Sequence, residues 1–275
     1  VYGYRTGMLL ASGGGLILGD RFGFPAAFVV LAVCMSLGGA TTLVADEPPV
    51  PQGAPKSFRE AVVDPLADYF TRADAWWILL FVLLYKLGDS MAGWLTTPFY
   101  LQVGFTATEI GGVVKLFGYW AVLVGMLIGG VSILRLGLYR ALWAFGVLQA
   151  LSTGCFAILG YTGPSLTALA AVIVFENVSG GMGTAAYMAF MASLTNKRFT
   201  ATQYALLTSL MGVPRVLFSA PTGYLAAAFG WESFFVACAL IAIPGLLLLL
   251  RFRPWLRRAD ENVSLAEAAQ KRGQI

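Results

Sequence analysis

Six charged residues interrupt long apolar stretches of this 275-residue chain: Arg5, Lys86, Asp89, Lys115, Glu176 and Arg215. Each costs about 2.5–3.5 kcal/mol at the centre of a membrane-spanning helix, so six of them, even halved for off-centre positions, amount to a penalty on the order of 10 kcal/mol. A chain that needed only an anchor would not carry them, so they are expected to face one another or a water-filled cavity. Asp89 and Glu176 are carboxyl groups able to take up and release a proton. Lys86, Lys115 and Arg215 can answer the negative groups of an anionic ligand. Lys86 and Asp89 lie three apart and share a helical face with Ser90, Gly93 and Thr97. Either this pair only neutralises itself, or Asp89 is a protonatable carboxylate that responds to its partner and to wetting.

The segment FENVSGGMGTAAY sets Glu176, Asn177, Gly180, Gly183 or Thr184, and Tyr187 along one side of a helix. Glu176 has no cation within four residues of its own helix, which makes its proton easier to keep, so it is the favoured proton carrier with Asp89 second. The glycines serve either close helix packing, the default, or local unwinding beside a substrate. Thr208, Gly212, Arg215, Ser219 and Thr222 form a polar stripe, in which Pro214 and Pro221 remove backbone bonds and offer a hinge. Arg215 and Arg5 read as functional, in binding or in gating. Lys115 either snorkels to the interface or faces a cavity. Trp94, Tyr119 and Trp120 lie deep enough to stack on a sugar, although core packing is the plainer reading. Gln149 is uncharged and is expected only to hydrogen-bond a neighbour. With no histidine there is no imidazole base or metal ligand, and no nucleophile–base constellation is present, so a membrane-embedded transferase or hydrolase is disfavoured. A receptor or scaffold would not explain the buried charges.

The elements that must position these residues are helices in a bilayer. The composition is 58% hydrophobic and 12% charged, with mean hydropathy +0.76. A soluble domain is about 45–50% apolar and 25% charged, so an ordinary water-soluble fold is excluded. There is no basic arm for nucleic acid. Cys34, Cys155 and Cys238 sit in apolar stretches, so no disulfide framework or metal site is expected. On the template of about 20 apolar residues per crossing, eight spans are predicted: 3–19, 25–45, 76–100, 110–134, 141–160, 166–194, 201–228 and 234–250. Alternating ten-residue β-strands are absent, which leaves an all-α polytopic bundle. Between spans two and three, residues 46–75 are polar and proline-rich. Ser57 with Glu60 reads as a capping box for an amphipathic helix with Phe58, Val62, Leu66, Tyr69 and Phe70 on one face.

Basic residues set the orientation. One set of loops and the tail carry Lys56, Arg59, Arg72, Arg135, Arg140, Lys197, Arg198, Arg251, Arg253, Arg257, Arg258, Lys271 and Arg272; the opposite loops carry Arg21. The linker and the C-terminus are therefore expected in the cytoplasm. Arg5, Gly13 and FGFPAAF (22–28) repeat as Arg215, Gly223 and FGWESFF (229–235) with a three-residue slip. Spans one and two thus recur as seven and eight, six helices later, the plan of a transporter built from two parallel six-helix halves. The chain then reads as helices five to twelve of twelve, with four missing before Val1. The spans without charge become helices six, nine and twelve, every third one, as expected of helices that face lipid. The domains follow: 1–45, the last two helices of the first half; 46–75, a cytoplasmic linker; 76–250, the second half; 251–275, a basic cytoplasmic tail.

The loop GGVSILRLGLYRAL resembles the loop signature of the major facilitator superfamily, with Gly130, Arg135, Gly137 and Arg140 in place and Leu134 where the acid would stand. These four are the candidate gating loop. YRTGMLLASGG, LYKLGDSMAGWLTT, FENVSGGMGTAAYMAFMASLTNKRFTATQYALL and GWESFF resemble the AmpG muropeptide permeases of that superfamily, over nearly the whole chain. That resemblance implies proton-driven import of anhydromuropeptides across a bacterial inner membrane during cell-wall recycling, a link to β-lactamase induction and no cofactor. The expected partners are the glycopeptide, protons and the lipid bilayer, with a monomeric protein. Lys86, Lys115, Asn177, Arg215, Arg5, Trp94 and Tyr119 are the candidate substrate-binding residues, and Glu176 and Asp89 the proton carriers. The alternative is another transporter of the superfamily, such as a drug or metabolite proton antiporter, which a greasier cavity with a single acid would suit better.

Overall fold

A computed structural model describes residues 15–44, 59–72, 74–106, 109–195 and 200–272, with Gly7, Ala11 and Ser57 as isolated positions. Arg5, Gly13, Lys56, Phe58, Lys197 and Arg198 lie outside the described residues, as do the side chains of Arg21, Arg215 and Ser219 and those beyond Arg253. The chain divides into two compact units, 1–54 and 55–275.

In the first unit α1 (Gly15–Phe22) meets α2 (Phe24–Val44) at Gly23. The second unit begins with a π-helical turn, Arg59–Val63, that runs into α3 (Asp64–Phe70). There follow α4 (Ala75–Tyr85), α5 (Leu87–Val103), a π-helical stretch Ile110–Phe117, α6 (Gly118–Leu136), α7 (Leu138–Thr162), α8 (Leu166–Leu194), α9 (Thr200–Leu217), α10 (Ser219–Phe229) and α11 (Trp231–Arg272). The described residues contain no strand. Among the described residues six stretches are long and apolar enough to cross a membrane: Phe24–Val44, Ala75–Val103, Ile110–Leu136, Leu138–Thr162, Leu166–Leu194 and Trp231–Arg253. They match predicted spans two to six and eight.

Most of predicted span one lies outside the described residues. Span seven is broken: α9 and α10 meet at Phe218 (φ −94°, ψ −1°), between the two prolines that the sequence flagged. Pro221 is the third residue of α10, where a helix does not need the missing N–H. The FG turns of the repeat share one geometry. Gly23 and Gly230 sit at φ +84° and +78°, each donates its N–H to the carbonyl four residues back, and each carbonyl accepts from the residue four ahead. A side chain is strained at such φ, so both copies of the turn need glycine.

Two apolar cores stand at different levels of the second unit. One gathers Tyr69, Phe81, Tyr85, Phe145, Tyr187, Phe190 and Phe252. The other gathers Phe99, Tyr100, Phe156, Ile173, Phe234 and Phe235. Going along α7 from Phe145 to Phe156, or along α8 from Ile173 to Ala186, the chain passes from one core to the other. The polar residues of these helices fall between.

Helices α6 and α8 approach backbone to backbone. A Cβ on Gly125 would overlap the Val178 carbonyl, one on Gly129 would lie 2.7 Å from the Met182 Cα, and one on Gly181 would lie 2.5 Å from the Val122 carbonyl oxygen. Gly125 and Gly129 form a small-xxx-small pair that lets two helices touch without apolar solvent to drive them together. The glycines of the FENVSGGMGT segment therefore do include close packers.

In the linker the Ser57 half of the predicted capping box is present, with the Glu60 N–H donating to Ser57 Oγ at 3.2 Å. Tyr69 is fully buried and Val62 and Leu66 half-buried, as the amphipathic reading requires, whereas Phe70 is 42% exposed and sets its ring 5.3 Å from that of Trp76. Phe70 is the last residue of α3, directly before the C-cap Thr71, and its ring packs on Trp76 instead. Burial pushes the Tyr69 hydroxyl up to about 12, against a smaller opposing pull from Arg72. Arg72 ties the linker to the bundle, donating to the Leu194 carbonyl at 2.5 Å, Asp68 Oδ2 at 2.7 Å and Gln203 Oε1 at 3.3 Å. Gln203, itself buried, returns bonds to the Pro65 carbonyl at 3.0 Å and Asp68 at 2.8 Å.

Candidate functional site

The helix through predicted span three breaks at Lys86, which separates α4 from α5 at φ −107°, ψ 6°. The break puts Lys86 between the two cores, only 7% exposed. A lone ammonium there would carry a desolvation penalty of several kcal/mol, so it requires partners. It has two. Lys86 Nζ donates to Gln149 Oε1 of α7 at 2.9 Å and lies 3.5 Å from Asp89 Oδ2, at the outer limit of a hydrogen bond. The expected Lys86–Asp89 contact is therefore real, but the amide is the closer partner.

Asp89 and Glu176 of α8 are close enough for their charges to act on each other, and the Lys86 charge acts on Glu176 as well. Glu176 Oε2 further accepts from Ser152 Oγ at 2.6 Å, and Ser152 Oγ contacts Ser179 Oγ at 2.8 Å. Ser179 is anchored to the Phe175 carbonyl at 2.7 Å. Three spans, α4–α5, α7 and α8, thus converge on one cluster: Lys86, Asp89, Gln149, Ser152, Glu176 and Ser179. The glycines around it are shaped by its contents. A Cβ on Gly183 would fall 2.6 Å from Gln149 Oε1, and one on Gly88 would overlap the Cys238 carbonyl of α11.

A cavity of about 10 Å³ adjoins the cluster, lined by Tyr85, Asp89, Gln149, Thr153 and Cys238 among others. That is room for about one water. Gln149 Nε2 is a buried donor with no hydrogen-bond partner among the described residues.

Other candidates lie apart from this cluster. Lys115, on the π-helical stretch before α6, is exposed and makes no ion pair with another described residue. Asn177 is half-buried and donates to the Ile173 carbonyl of its own helix at 2.9 Å. Trp94 and Trp120 are 48% and 61% exposed, so they are not core packers within this chain. Tyr119 is half-buried and meets the Trp120 ring edge-on at 5.6 Å. In the polar stripe of span seven, Thr222 is buried, Thr208 half-buried and Gly212 exposed; Arg215 belongs to α9, with its side chain outside the described residues. Gly130, Arg135 and Arg140 are exposed around the turn from α6 to α7, which Gly137 makes at φ +77°.

Gln149 has the hydrogen-bonded neighbour expected of it, in Lys86, but its place in the cluster was not foreseen, nor were Ser152 and Ser179. The signal available was a run of polar residues, Gln149, Ser152 and Thr153, at helical spacing in an otherwise apolar span. Sequence reasoning also missed the Gly125–Gly129 pair and the Arg72 tie.

A bundle of long apolar helices with a polar cluster between its two cores is the architecture of a multi-pass membrane protein. Residues 2–219 match the family model of the Major Facilitator Superfamily, and the chain belongs to that family. Among curated proteins it is 43% identical to the anhydromuropeptide permease of Escherichia coli strain K12, over 95% of this chain and 54% of that protein. It is 34% identical to the putative transporter AmpG 4 of Rickettsia felis, over 91% of this chain and 62% of that one. An uncharacterized protein of Haemophilus influenzae is 38% identical, over 95% and 64%. The chain therefore spans about half to two thirds of the length of these relatives.

Proposed function

We propose that this chain belongs to a proton-driven importer of anhydromuropeptides in a bacterial inner membrane. It supplies the last two helices of the first half (1–45), the cytoplasmic linker (46–75), the second half (76–250) and a cytoplasmic tail (251–275). The observation that carries the reading is the cluster that gathers two carboxyl groups, Asp89 and Glu176, around the buried Lys86, in a sequence 43% identical to a permease named for that substrate.

The chemistry follows from the pair. When one of the two carboxyl groups is protonated, the cluster holds one carboxylate against one ammonium and is close to neutral, which lowers the cost of placing it among apolar helices. Loss of that proton adds a negative charge that the network must answer with water or with movement of α5 against α8. Binding and release of a proton thereby favour different arrangements of the spans, which is what coupling to alternating access requires. Glu176 is the favoured carrier, with Asp89 second, and Ser152 orients the Glu176 carboxyl by donating to it at 2.6 Å. The substrate is an amphiphilic anion with sugar hydroxyls, amides and peptide carboxylates. Lys115, Arg215 and Arg5 complement its charge, Lys86 does so when it turns from the pair, and Asn177 offers an amide. Trp94 and Tyr119 offer rings for a sugar face. Gly130, Arg135, Gly137 and Arg140 form the cytoplasmic gating turn, and the protein works as a monomer.

Uptake of a labelled anhydromuropeptide by right-side-out vesicles holding the full-length protein tests this reading. Accumulation that a protonophore abolishes is expected. Well-inserted protein that accumulates no muropeptide would leave only the superfamily assignment.

A further inference from the structure

Gln149 is the one strongly polar side chain of α7 that sequence reasoning set aside, and it is 5% exposed. Its amide has been placed for one purpose. The carbonyl oxygen accepts from Lys86 Nζ at 2.9 Å, 0.6 Å closer than the Asp89 carboxylate at 3.5 Å. The other end, Nε2, has no hydrogen-bond partner among the described residues. Turning the amide over would set N–H groups against an ammonium, so the orphan donor is the consequence of keeping the oxygen on Lys86. Gln149 also lines the small cavity that it shares with Asp89 and Thr153, where one water would satisfy Nε2. Room for this arrangement comes from α8: a Cβ on Gly183 would lie 2.6 Å from Gln149 Oε1 and 3.8 Å from Lys86 Nζ.

We propose that Gln149 is a positioning residue that holds the Lys86 ammonium beside the Asp89–Glu176 pair, and that Gly183 is required because it leaves space for the Gln149 amide. The inference rests on the transport reading for its functional consequence, and on geometry alone for the contact. The ionisable groups around Gln149 are Lys86, Asp89 and Tyr85 from α4–α5, Glu176 from α8 and Cys238 from α11. An amide adds no charge to this set. It therefore fixes the cation without competing for the proton, as a third carboxylate would.

Two readouts on the full-length protein separate the contact from the function. The first needs no substrate: melting temperatures of purified wild type, Lys86→Met, Gln149→Met and the double variant. Expected is a double-variant loss clearly smaller than the sum of the single losses, because either change removes the same contact. Strict additivity would overturn the contact. The second is muropeptide uptake, where Gln149→Met is expected to lower kcat roughly tenfold, as loss of a hydrogen bond to a charge would, while KM stays within about twofold. A raised KM at unchanged kcat would overturn the positioning role and make Gln149 a substrate contact. If Gln149→Met does not fold, Gly183→Ala pushes the same amide off Lys86 and is expected to lower kcat in the same manner; unchanged kcat there contradicts the proposal. Absence of uptake in the wild type itself would overturn the muropeptide reading and leave the melting cycle to decide the contact.

Discussion

Changing Arg72 to Met tests whether polar bonds or apolar burial fasten the linker helix. Methionine keeps an unbranched stem over the Tyr69 ring, which the guanidinium covers at 5.6 Å from the ring centre, and removes the polar head. The head makes three bonds: to the Leu194 carbonyl, to Asp68 and to Gln203. Hydrogen bonds to charged groups are worth about 1.5–3 kcal/mol when buried. About a third of each partner of the Arg72–Asp68 pair is open to solvent, with side-chain exposures of 31% and 34%. Screening brings that pair down towards the surface value of roughly 0.2–1 kcal/mol. Adding a bond of about 1–2 kcal/mol to the Leu194 carbonyl gives a loss of about 2 kcal/mol for Arg72→Met. Local opening of α3 should then rise on the order of thirtyfold. Hydrogen exchange of the full-length protein reads this directly: amides of 64–70 should exchange ten to thirty times faster, with α7 unchanged as the internal control. Exchange within about threefold of wild type would refute the reasoning and leave Tyr69 burial as the fastening.

Gly125→Ala forces a Cβ onto the Val178 backbone, whereas Gly112→Ala meets nothing within 4 Å. The first should cost about 1–3 kcal/mol by overpacking, and thermal melting in detergent should show a clear drop for it and none for the second. The exposed Glu109 caps the entry to the next span, accepting from the Thr106 N–H and hydroxyl at 2.8 Å each, which holds its carboxyl below the ordinary value of 4.5. A lowered folded value means that the cap is fully formed above the ordinary carboxylate range and is lost as pH falls below it. Exchange protection of the Thr106 amide, followed from pH 7 down to 3, should be flat and then fall in the acid limb; protection independent of pH would count against the cap.

Much of the bundle was legible because apolar length is a one-dimensional signal: six spans stand where the hydropathy put them. The Lys86–Asp89 contact was legible too, since three-residue spacing on one helix suffices to predict it. The break at Phe218 between Pro214 and Pro221 follows from the prolines alone. What escaped depends on pairing across the chain. Gln149 meets Lys86 across 63 residues, and Arg72 meets Leu194 across 122; a single amide or guanidinium carries no periodicity that names its partner. Asp89 and Glu176, which the sequence marks separately as alternative proton carriers, stand near enough to act on each other electrostatically. Phe70, which the helical period sets on the buried face, is exposed beside Trp76 at the end of α3, a pairing across the chain that no local spacing names.

The central claim is that protons drive this protein through Glu176 and Asp89. Uptake of a labelled anhydromuropeptide in vesicles, for wild type and Glu176→Gln, each with and without a protonophore, tests it most directly. The account predicts wild-type accumulation that collapses with the protonophore. It also predicts Glu176→Gln protein that equilibrates the substrate at best and is indifferent to the protonophore. Full gradient-driven accumulation by Glu176→Gln would contradict it.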